Sequence, residues 1–564
     1  MRKSSYQSAY LLGWAFFSLV FLLGISLAPI SALLNLFHDD SFFYMVIARN
    51  HAAGLGYSFD GLNQTNGFHP LWLWLLSAMG SVASLTGEKG IRMVVLLQSF
   101  LSIGAALIYV RLLALAQVKT TLLILFYFAY LFLCTFADMG QESALFGFLF
   151  ALLIRGIIAG LRNSSATNQA MTLHWPGATQ LLFIYALSCF IVLTRLDAFF
   201  ILGGVALTLC LLGQKRAAYA VLLGVVLGIA ITMGFNYMYF GHPYSISSWL
   251  KSGFDFEKLW QIGIPGLGVR VTMVLGLLLA ALLNYQRHVQ RKDQLNDQLH
   301  DQLSDQLSDQ PNSANGRLSK LLSWTNCRTM PWPLVLTLTA LLAYSAYFVV
   351  LFLEVSALGS WYFNQAIGFS LFLFTLSTVG LTSSPSKDLA SSIKSANHPV
   401  VSSLWVLAPL ACALVLGMLL WTIKFTGAHS SDSTKEMGEW LAVHTAPGAV
   451  IFQRDGAGAV SYFAARHIIN GDGLVNNMSY QVMLRSGKLC QYLQEQGVQY
   501  IVTNTATNAA GKVQDFIALW TKGLTAVPLT MVAPQLALYT SQALPIYRVF
   551  TANTAAPQCA NKTW

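Results

Sequence analysis

The chain has 564 residues, of which 55% are hydrophobic and only 10% charged. A soluble globular protein carries roughly 25% charged residues, so an ordinary water-soluble enzyme is excluded, and the apolar fraction equally excludes a disordered chain. The formal charge of +10 comes from 33 Lys and Arg against 23 Asp and Glu; the basic residues fall in short groups between apolar runs, as in loops obeying the positive-inside rule, and no nucleic-acid partner is expected.

Apolar runs of bilayer-spanning length, about 20 residues, recur between residues 11 and 424. The first, from about Tyr10 to Phe37, follows Arg2 and Lys3. It is too long for a signal peptide and lacks a small-residue cleavage site, so it reads as an anchor with a cytoplasmic N-terminus. His38, Asp39 and Asp40 then emerge on the outer side. Further runs fall at about 70–86, 91–110, 120–137, 143–161, 179–194, 197–213, 217–239, 262–284, 332–353, 362–382 and 402–424.

The basic groups are Arg111 with Lys119, Arg155 with Arg162, Lys215 with Arg216, Arg287 through Lys292, and Lys387 with Lys394. Placing them in the cytoplasm leaves 138–142, 195–197, 240–261, 354–361 and everything after 425 outside, in about eleven crossings. Parity then requires 70–86 or 91–110 not to span, and 70–86 is expected to be a short or re-entrant helix. Residues 286–330 form a cytoplasmic low-complexity insertion. Within it, Leu295, Leu299, Leu303 and Leu307 recur at every fourth position, drifting about 40° per step around a helix, so they make no stable seam and are given no chemistry.

After Lys424 the composition turns polar. Strand-like runs at Ala449–Phe452 and Tyr500–Thr503 and helical patterns near 434–444 and 480–496 predict a small α/β domain over 425–564, outside the membrane. The expected fold class is therefore mainly α, a polytopic helical bundle over 1–424 with a C-terminal α/β extracytoplasmic domain. The seven cysteines include no CxxC, which argues against zinc or an iron–sulfur cluster. Cys490 and Cys559 can pair in an oxidising compartment or stay separate thiols.

The most informative stretch is the first outer loop, 38–70. Phe42, Phe43, Val46 and Ile47 fall on one face at helical spacing, predicting an amphipathic helix on the outer membrane surface, capped by Ser41 and ended by Gly54 or Gly56. Asn66-Gly67 makes a turn and Pro70 opens the next helix. Two adjacent carboxylates, Asp39 and Asp40, at the lip of a span are costly unless hydrated, paired or functional. Burial and like charge raise a carboxyl pKa while a helix N-terminus lowers it. One of the pair suits a general base toward a hydroxyl; equally, both suit a helix cap at the water boundary.

The order Asp39-Asp40, Phe42 to Asn50, Gly54-Leu55-Gly56, Asn66 to Trp72 resembles the first outer loop of the GT-C superfamily. These are polytopic glycosyltransferases that use polyprenyl-phosphate sugars; the likeness is to bacterial protein mannosyltransferases, lipid A aminoarabinose transferases and mycobacterial arabinofuranosyltransferases. Weaker likeness continues at Gly140-Gln141-Glu142-Ser143, Thr194 to Asp197, Gly241 through Lys251, Trp361-Tyr362, Asp455 to Gly458 and Asn470 to Asn476. The resemblance implies an enzyme of the bacterial inner membrane that moves a sugar from a polyprenyl-phosphate donor to a glycan, lipid or protein acceptor, with inversion. It puts the base on Asp39, with Asp40 as helper or contact to a divalent cation (Mg, Mn or Ca), although nothing demands a metal.

Arg49, His69, Arg195 and Lys251 become candidates for the donor phosphate, and Glu142, Asp197, Asn66 and Trp361 for sugar or acceptor. Each also has a plain structural reading: Arg195 with Asp197 as an ion pair at a hairpin tip, Arg49 reaching toward headgroups, Lys251 as a solvated loop lysine, Glu142 serving a helix dipole, Trp361 at interface depth. The alternative function is a transporter or flippase of lipid-linked sugars, but no Gly/Pro-broken spans recur in two halves as such proteins often show.

Overall fold

A computed structural model describes residues 2–135, 139–163, 177–251, 274–286, 336–344, 364–377, 430–453, 456–486, 488–505, 526–529 and 546–552, with short helical pieces between 411 and 419. The insertion 286–330 beyond Gln286, Trp361, Cys559 and the side chains of Lys251 and Cys490 lie outside the described residues.

The first apolar run is not one helix. It divides into α1 (Arg2–Leu27) and α2 (Ile30–Leu34) at Pro29, whose missing N–H and ring interrupt the ladder. There follow α3 (Asp39–Ala52), α4 (Pro70–Val82), α5 (Gly87–Leu115), α6 (Thr120–Tyr130), α7 (Ser143–Asn163), α8 (Ala178–Thr194), α9 (Phe199–Leu211), α10 (Lys215–Phe240) and α11 (Ile246–Lys251). With 29 and 26 residues, α5 and α10 are each long enough for a hydrocarbon core of about 30 Å. The 13 residues of α4 reach only about 20 Å. On α10, Gly224 and Gly228 let the helix approach α8 closely: a Cβ at Gly224 would overlap the Tyr185 carbonyl, and one at Gly228 would lie 2.7 Å from Val192 Cβ. Small residues four apart are what close packing in lipid uses.

The outer faces are apolar. Leu12, Phe16, Leu23 and Leu27 on α1 and Leu223, Val226, Tyr237 and Met238 on α10 are exposed, a coat that water would not tolerate on a single chain but lipid does. The chain is a membrane protein.

The residues after 424 build a mixed five-stranded sheet of order β2-β1-β3-β5-β4, from β1 (Val450–Gln453), β2 (His467–Asn470), β3 (Tyr500–Thr505), β4 (Ala526–Leu529) and β5 (Ile546–Ala552). β1 pairs parallel with β2 and β3, while β5 runs antiparallel to β3 and β4. The helix Ala457–Ala464 makes the crossover between β1 and β2. The helical pattern near 480–496 divides into Met478–Arg485 and Leu489–Glu495.

Two expectations for the first loop change. α3 is not amphipathic and does not lie on lipid: Ser41 through Ala48 are all buried, because α4 packs on one side and the helix Ala457–Ala464 of the sheet domain on the other. Tyr44, Met45 and Ala48 complete an apolar circumference, the pattern of a helix covered all round. Nor does Ser41 cap it. His38 is the N-cap, and the Ser41 hydroxyl instead donates to the Met139 carbonyl at 2.6 Å.

Candidate active site

Four helix ends converge on one cleft: the N-termini of α3, α4 and α7 and the C-terminus of α8. It is open on one side and is lined by Asp40, Tyr44, His69, Gln141, Glu142, Arg195 and Ser247, with Phe43, Phe68, Gly67 and Leu474 supplying the apolar wall. That mixture of a few convergent polar groups with an apolar wall suits a small polar ligand.

At its base, Glu142, just before α7, receives Arg195 Nη1 at 3.2 Å and lies 3.9 Å from His69 Nε2. The Tyr44 hydroxyl is hydrogen-bonded to Glu142 and accepts the His69 backbone N–H at 3.4 Å. Burial, then the charge on Glu142, hold the Tyr44 pKa far above its usual value, so Tyr44 keeps its proton. Arg195 also grips Asp197 with two parallel bonds, Nε to Oδ1 at 3.0 Å and Nη2 to Oδ2 at 2.7 Å. Arg195 and Glu142 are only 6% and 3% exposed in their side chains. One guanidinium therefore balances two carboxylates, and Arg195 and Asp197 do form the ion pair that their spacing allows.

The loop carrying Glu142 is fixed on every side. Met139 N donates to the Leu36 carbonyl at 3.0 Å, Trp72 Nε1 donates to the Gly140 carbonyl at 2.9 Å, and the Gln98 side chain bonds both Gly140 N and the Gln141 carbonyl. Asn66 holds the far wall: its Nδ2 donates to the Tyr244 carbonyl and its Oδ1 accepts Ile246 N, both at 2.9 Å. Asn66 thus anchors α11, whose Ser247 reaches the cleft and whose last residue is Lys251.

The acidic pair divides its roles. Asp40 lines the cleft, its Oδ1 3.6 Å from His38 Nδ1. Asp39 turns the other way and accepts Gly458 N at 3.0 Å and Ala459 N at 2.9 Å, one on each carboxylate oxygen. These are the second and third residues of the helix Ala457–Ala464, whose own N-cap, Gly456, has no side chain. A carboxylate from 419 residues upstream thus does what a capping side chain does, at a typical gain of ~1 kcal/mol. The approach requires glycine at 458, because a Cβ there would overlap the Asp39 carbonyl oxygen. Gly458→Ala is expected to cost about 1–3 kcal/mol as overpacking and to loosen the sheet domain, seen as faster proteolysis of residues 425–564; unchanged proteolysis would show that the contact does not hold the domain.

Burial raises the Asp39 pKa to about 6, against the two N–H bonds and with help from Asp40. Asp472, from the loop after β2, is raised to about 7, again mainly by burial, with Asp40 and Asp39 adding to it. Unfolded aspartate titrates near ~3.9. Between about pH 4 and 7 the folded chain therefore holds protons that the unfolded chain has released, so stability falls as pH rises through that window. Asp472→Asn is expected to remove about 2–3 kcal/mol of that fall, read as the thermal midpoint in detergent against pH; an unaltered slope would show Asp472 to be solvated.

Arg49 is not brought to the cleft. It lies at the other end of α3, about 15 Å along the axis from Asp39, where Nη1 donates to the Tyr462 carbonyl at 3.1 Å and the guanidinium sits 5.9 Å from the Tyr462 ring. Burial lowers its pKa. Asp39 has both oxygens committed to N–H groups, and among the described residues no three His, Cys, Asp or Glu side chains converge as metal ligands. Sequence reasoning missed Tyr44, Gln141, Ser247 and Asp472 as site residues, although Gln141 and Asp472 stood inside stretches already noted for their polarity.

Residues 423–547 match a family model described as a domain of unknown function, DUF8728. A search of the curated proteins finds no match. Among solved structures, ArnT from Cupriavidus metallidurans bound to undecaprenyl phosphate is similar over 97% of this chain and 99% of that one, with a TM-score of 0.50 and 15% identity. The apo state of the same protein gives 0.50 and 14%, over 97% of this chain and 100% of that one. The Archaeoglobus fulgidus oligosaccharyltransferase with Zn and sulfate covers 82% of this chain and 64% of its own, at 0.45 and 12%. The likeness to ArnT carries the fold alone: the chain shares that protein's mainly helical architecture.

Proposed function

We propose that the protein is an integral-membrane glycosyltransferase that moves a sugar from a polyprenyl-phosphate donor to a hydroxyl of an envelope glycan, lipid or protein. It would work in the bacterial inner membrane, with the N-terminus cytoplasmic and residues 425–564 periplasmic. The observation that carries this reading is the cleft itself, in which a partly exposed carboxylate, Asp40, faces a buried Glu142–Arg195 pair where the first-loop helix meets the sheet domain. The fold likeness to a protein that binds undecaprenyl phosphate supports the donor class.

In this reading Asp40 takes the proton of the acceptor hydroxyl. The acceptor oxygen attacks the anomeric carbon, the bond from that carbon to the phosphate oxygen breaks, and the polyprenyl phosphate leaves with the electron pair, inverting the centre. A general base contributes typically 10²–10⁴-fold. His69, 32% exposed, would meet the departing phosphate when protonated, with Lys251, the last residue of α11, as the second candidate, while Arg195 would serve it only in part because two carboxylates share its charge. Asp39 caps the helix of the sheet domain and keeps it over the cleft, with Arg49 at the other end of the same contact. A second reading keeps Asp39 as the base; what favours it is a pKa of about 6, closer to neutrality, where proton transfer is most efficient.

The test is purified protein in nanodiscs given polyprenyl-phosphate mannose, glucose or arabinose with envelope extracts. Label moving from lipid to acceptor supports the proposal. In sealed vesicles, labelled lipid that changes leaflet without losing its sugar supports the transporter and overturns it.

A further inference from the structure

One buried polar group in the cleft has no use in the scheme above. Gln141 is 2% exposed and lines the cleft beside Asp40, Glu142 and Arg195. Its side-chain Nε2 has no hydrogen-bond partner among the described residues. The backbone on which it stands cannot swing to find one, because Ser41, Trp72 and Gln98 pin residues 139–141. A buried amide left without an acceptor is destabilising, and a native chain that keeps one calls for a functional reason or a bound partner.

The neighbouring charges indicate what kind of ligand atom that is. Around this wall the carboxylates of Asp40 and Glu142 stand against Arg195 and His69, so there is no excess positive charge to hold a phosphate against Gln141. A neutral oxygen needs none. We infer that the Gln141 amide donates to a hydroxyl oxygen of the transferred sugar and selects the donor by that hydroxyl. The inference rests on the transferase reading and adds a specificity-determining residue to it. A site built to donate to a hydroxyl discriminates strongly against an analogue that lacks it, because the donor is then left unpaired.

The experiment compares wild-type protein with Gln141→Leu and Gln141→Glu, measuring binding of polyprenyl-phosphate mannose, glucose and arabinose, of their monodeoxy analogues, and of polyprenyl phosphate without sugar. Wild type is expected to bind one sugar-lipid at least tenfold more tightly than one of its monodeoxy analogues. Gln141→Leu is expected to abolish that preference, leave sugar-free polyprenyl phosphate binding within twofold of wild type, and unfold at an equal or higher temperature, since it removes an unpaired donor. A residue with only a structural role would instead lower the unfolding temperature and weaken every lipid equally, which would overturn the inference. Gln141→Glu keeps the shape and brings a carboxylate in place of the amide donors; retained preference in that variant overturns it too. Wild type that binds no sugar-lipid at all sinks the transferase reading and this inference together, whereas wild type that discriminates and Gln141→Leu that discriminates equally sink the inference alone.

Discussion

Asp40→Asn is expected to lower the rate of sugar transfer by about 10²–10⁴-fold, the usual contribution of a general base, with little change in folding. The asparagine has nearly the same shape, and Asp40 is partly exposed with its Oδ1 3.6 Å from His38 Nδ1, so no buried charge is left without a partner. Asp39→Asn should behave differently. One oxygen of Asp39 becomes an NH₂ that must face a backbone N–H of Gly458 or Ala459, donor against donor, and the helix Ala457–Ala464 loses the charge at its N-terminus. The expected result is a loosened sheet domain, detected by limited proteolysis, with transfer reduced through the altered cleft. Measuring both variants for rate and for proteolysis separates the roles. If Asp39→Asn alone abolishes transfer while the sheet domain stays protected, the proton goes to Asp39 and the assignment to Asp40 is wrong.

Arg195→Leu is expected to destabilise the protein by about 3–5 kcal/mol, because it strands the Glu142 carboxylate in a nearly dry position. Tyr44 and His69 remain beside Glu142, but neither replaces a guanidinium 3.2 Å away. Asp197 suffers less, since its side chain is 26% exposed and water can take over. The double variant Glu142→Leu/Arg195→Leu should recover most of the loss, as removing both members of a buried pair usually does. A double-mutant cycle read by thermal unfolding in detergent gives the coupling directly. A single-variant loss below ~1 kcal/mol would mean that water reaches the pair and that it behaves as a surface bridge.

The bundle was legible because lipid imposes one rule, apolar stretches of spanning length, that survives in the linear order of residues. The mainly helical membrane fold follows from that alone. Local rules also placed Pro70 at a helix start, whereas the turn expected at Asn66-Gly67 does not form, Asn66 instead bonding the Tyr244 carbonyl and Ile246 N. What could not be read was everything fixed by residues far apart. The periodicity of Phe42, Phe43, Val46 and Ile47 is correct for one face of α3, but the other face is covered by Ala457–Ala464, which no local pattern announces. In the same way Ser41 has the chemistry of a cap, yet Met139 takes its hydroxyl.

The site shows the same division. Glu142, Arg195, His69 and Asp40 stand at ends of different helices, and charge at the outer ends of spans was enough to group them. Arg49 looked equivalent by that criterion and is not, since a helix of 14 residues carries it about 15 Å from the acidic end. Which member of an adjacent acidic pair turns to the cleft depends on a backbone N–H donor hundreds of residues away.

The covering of α3 also sets the order in which the protein can be completed. Asp39 and its two N–H partners are 419 residues apart, so at ~5–20 residues per second the ribosome needs roughly 20–80 s to deliver the partner. Throughout that time the face of α3 that Ala457–Ala464 covers in the finished protein stays open, and the nascent chain presents it, with Asp39 not yet bonded to Gly458 and Ala459, to whatever else occupies the membrane surface. Chains stalled or cut before residue 457 should therefore be captured by membrane proteases and holdases rather than accumulate as a free-standing helical half.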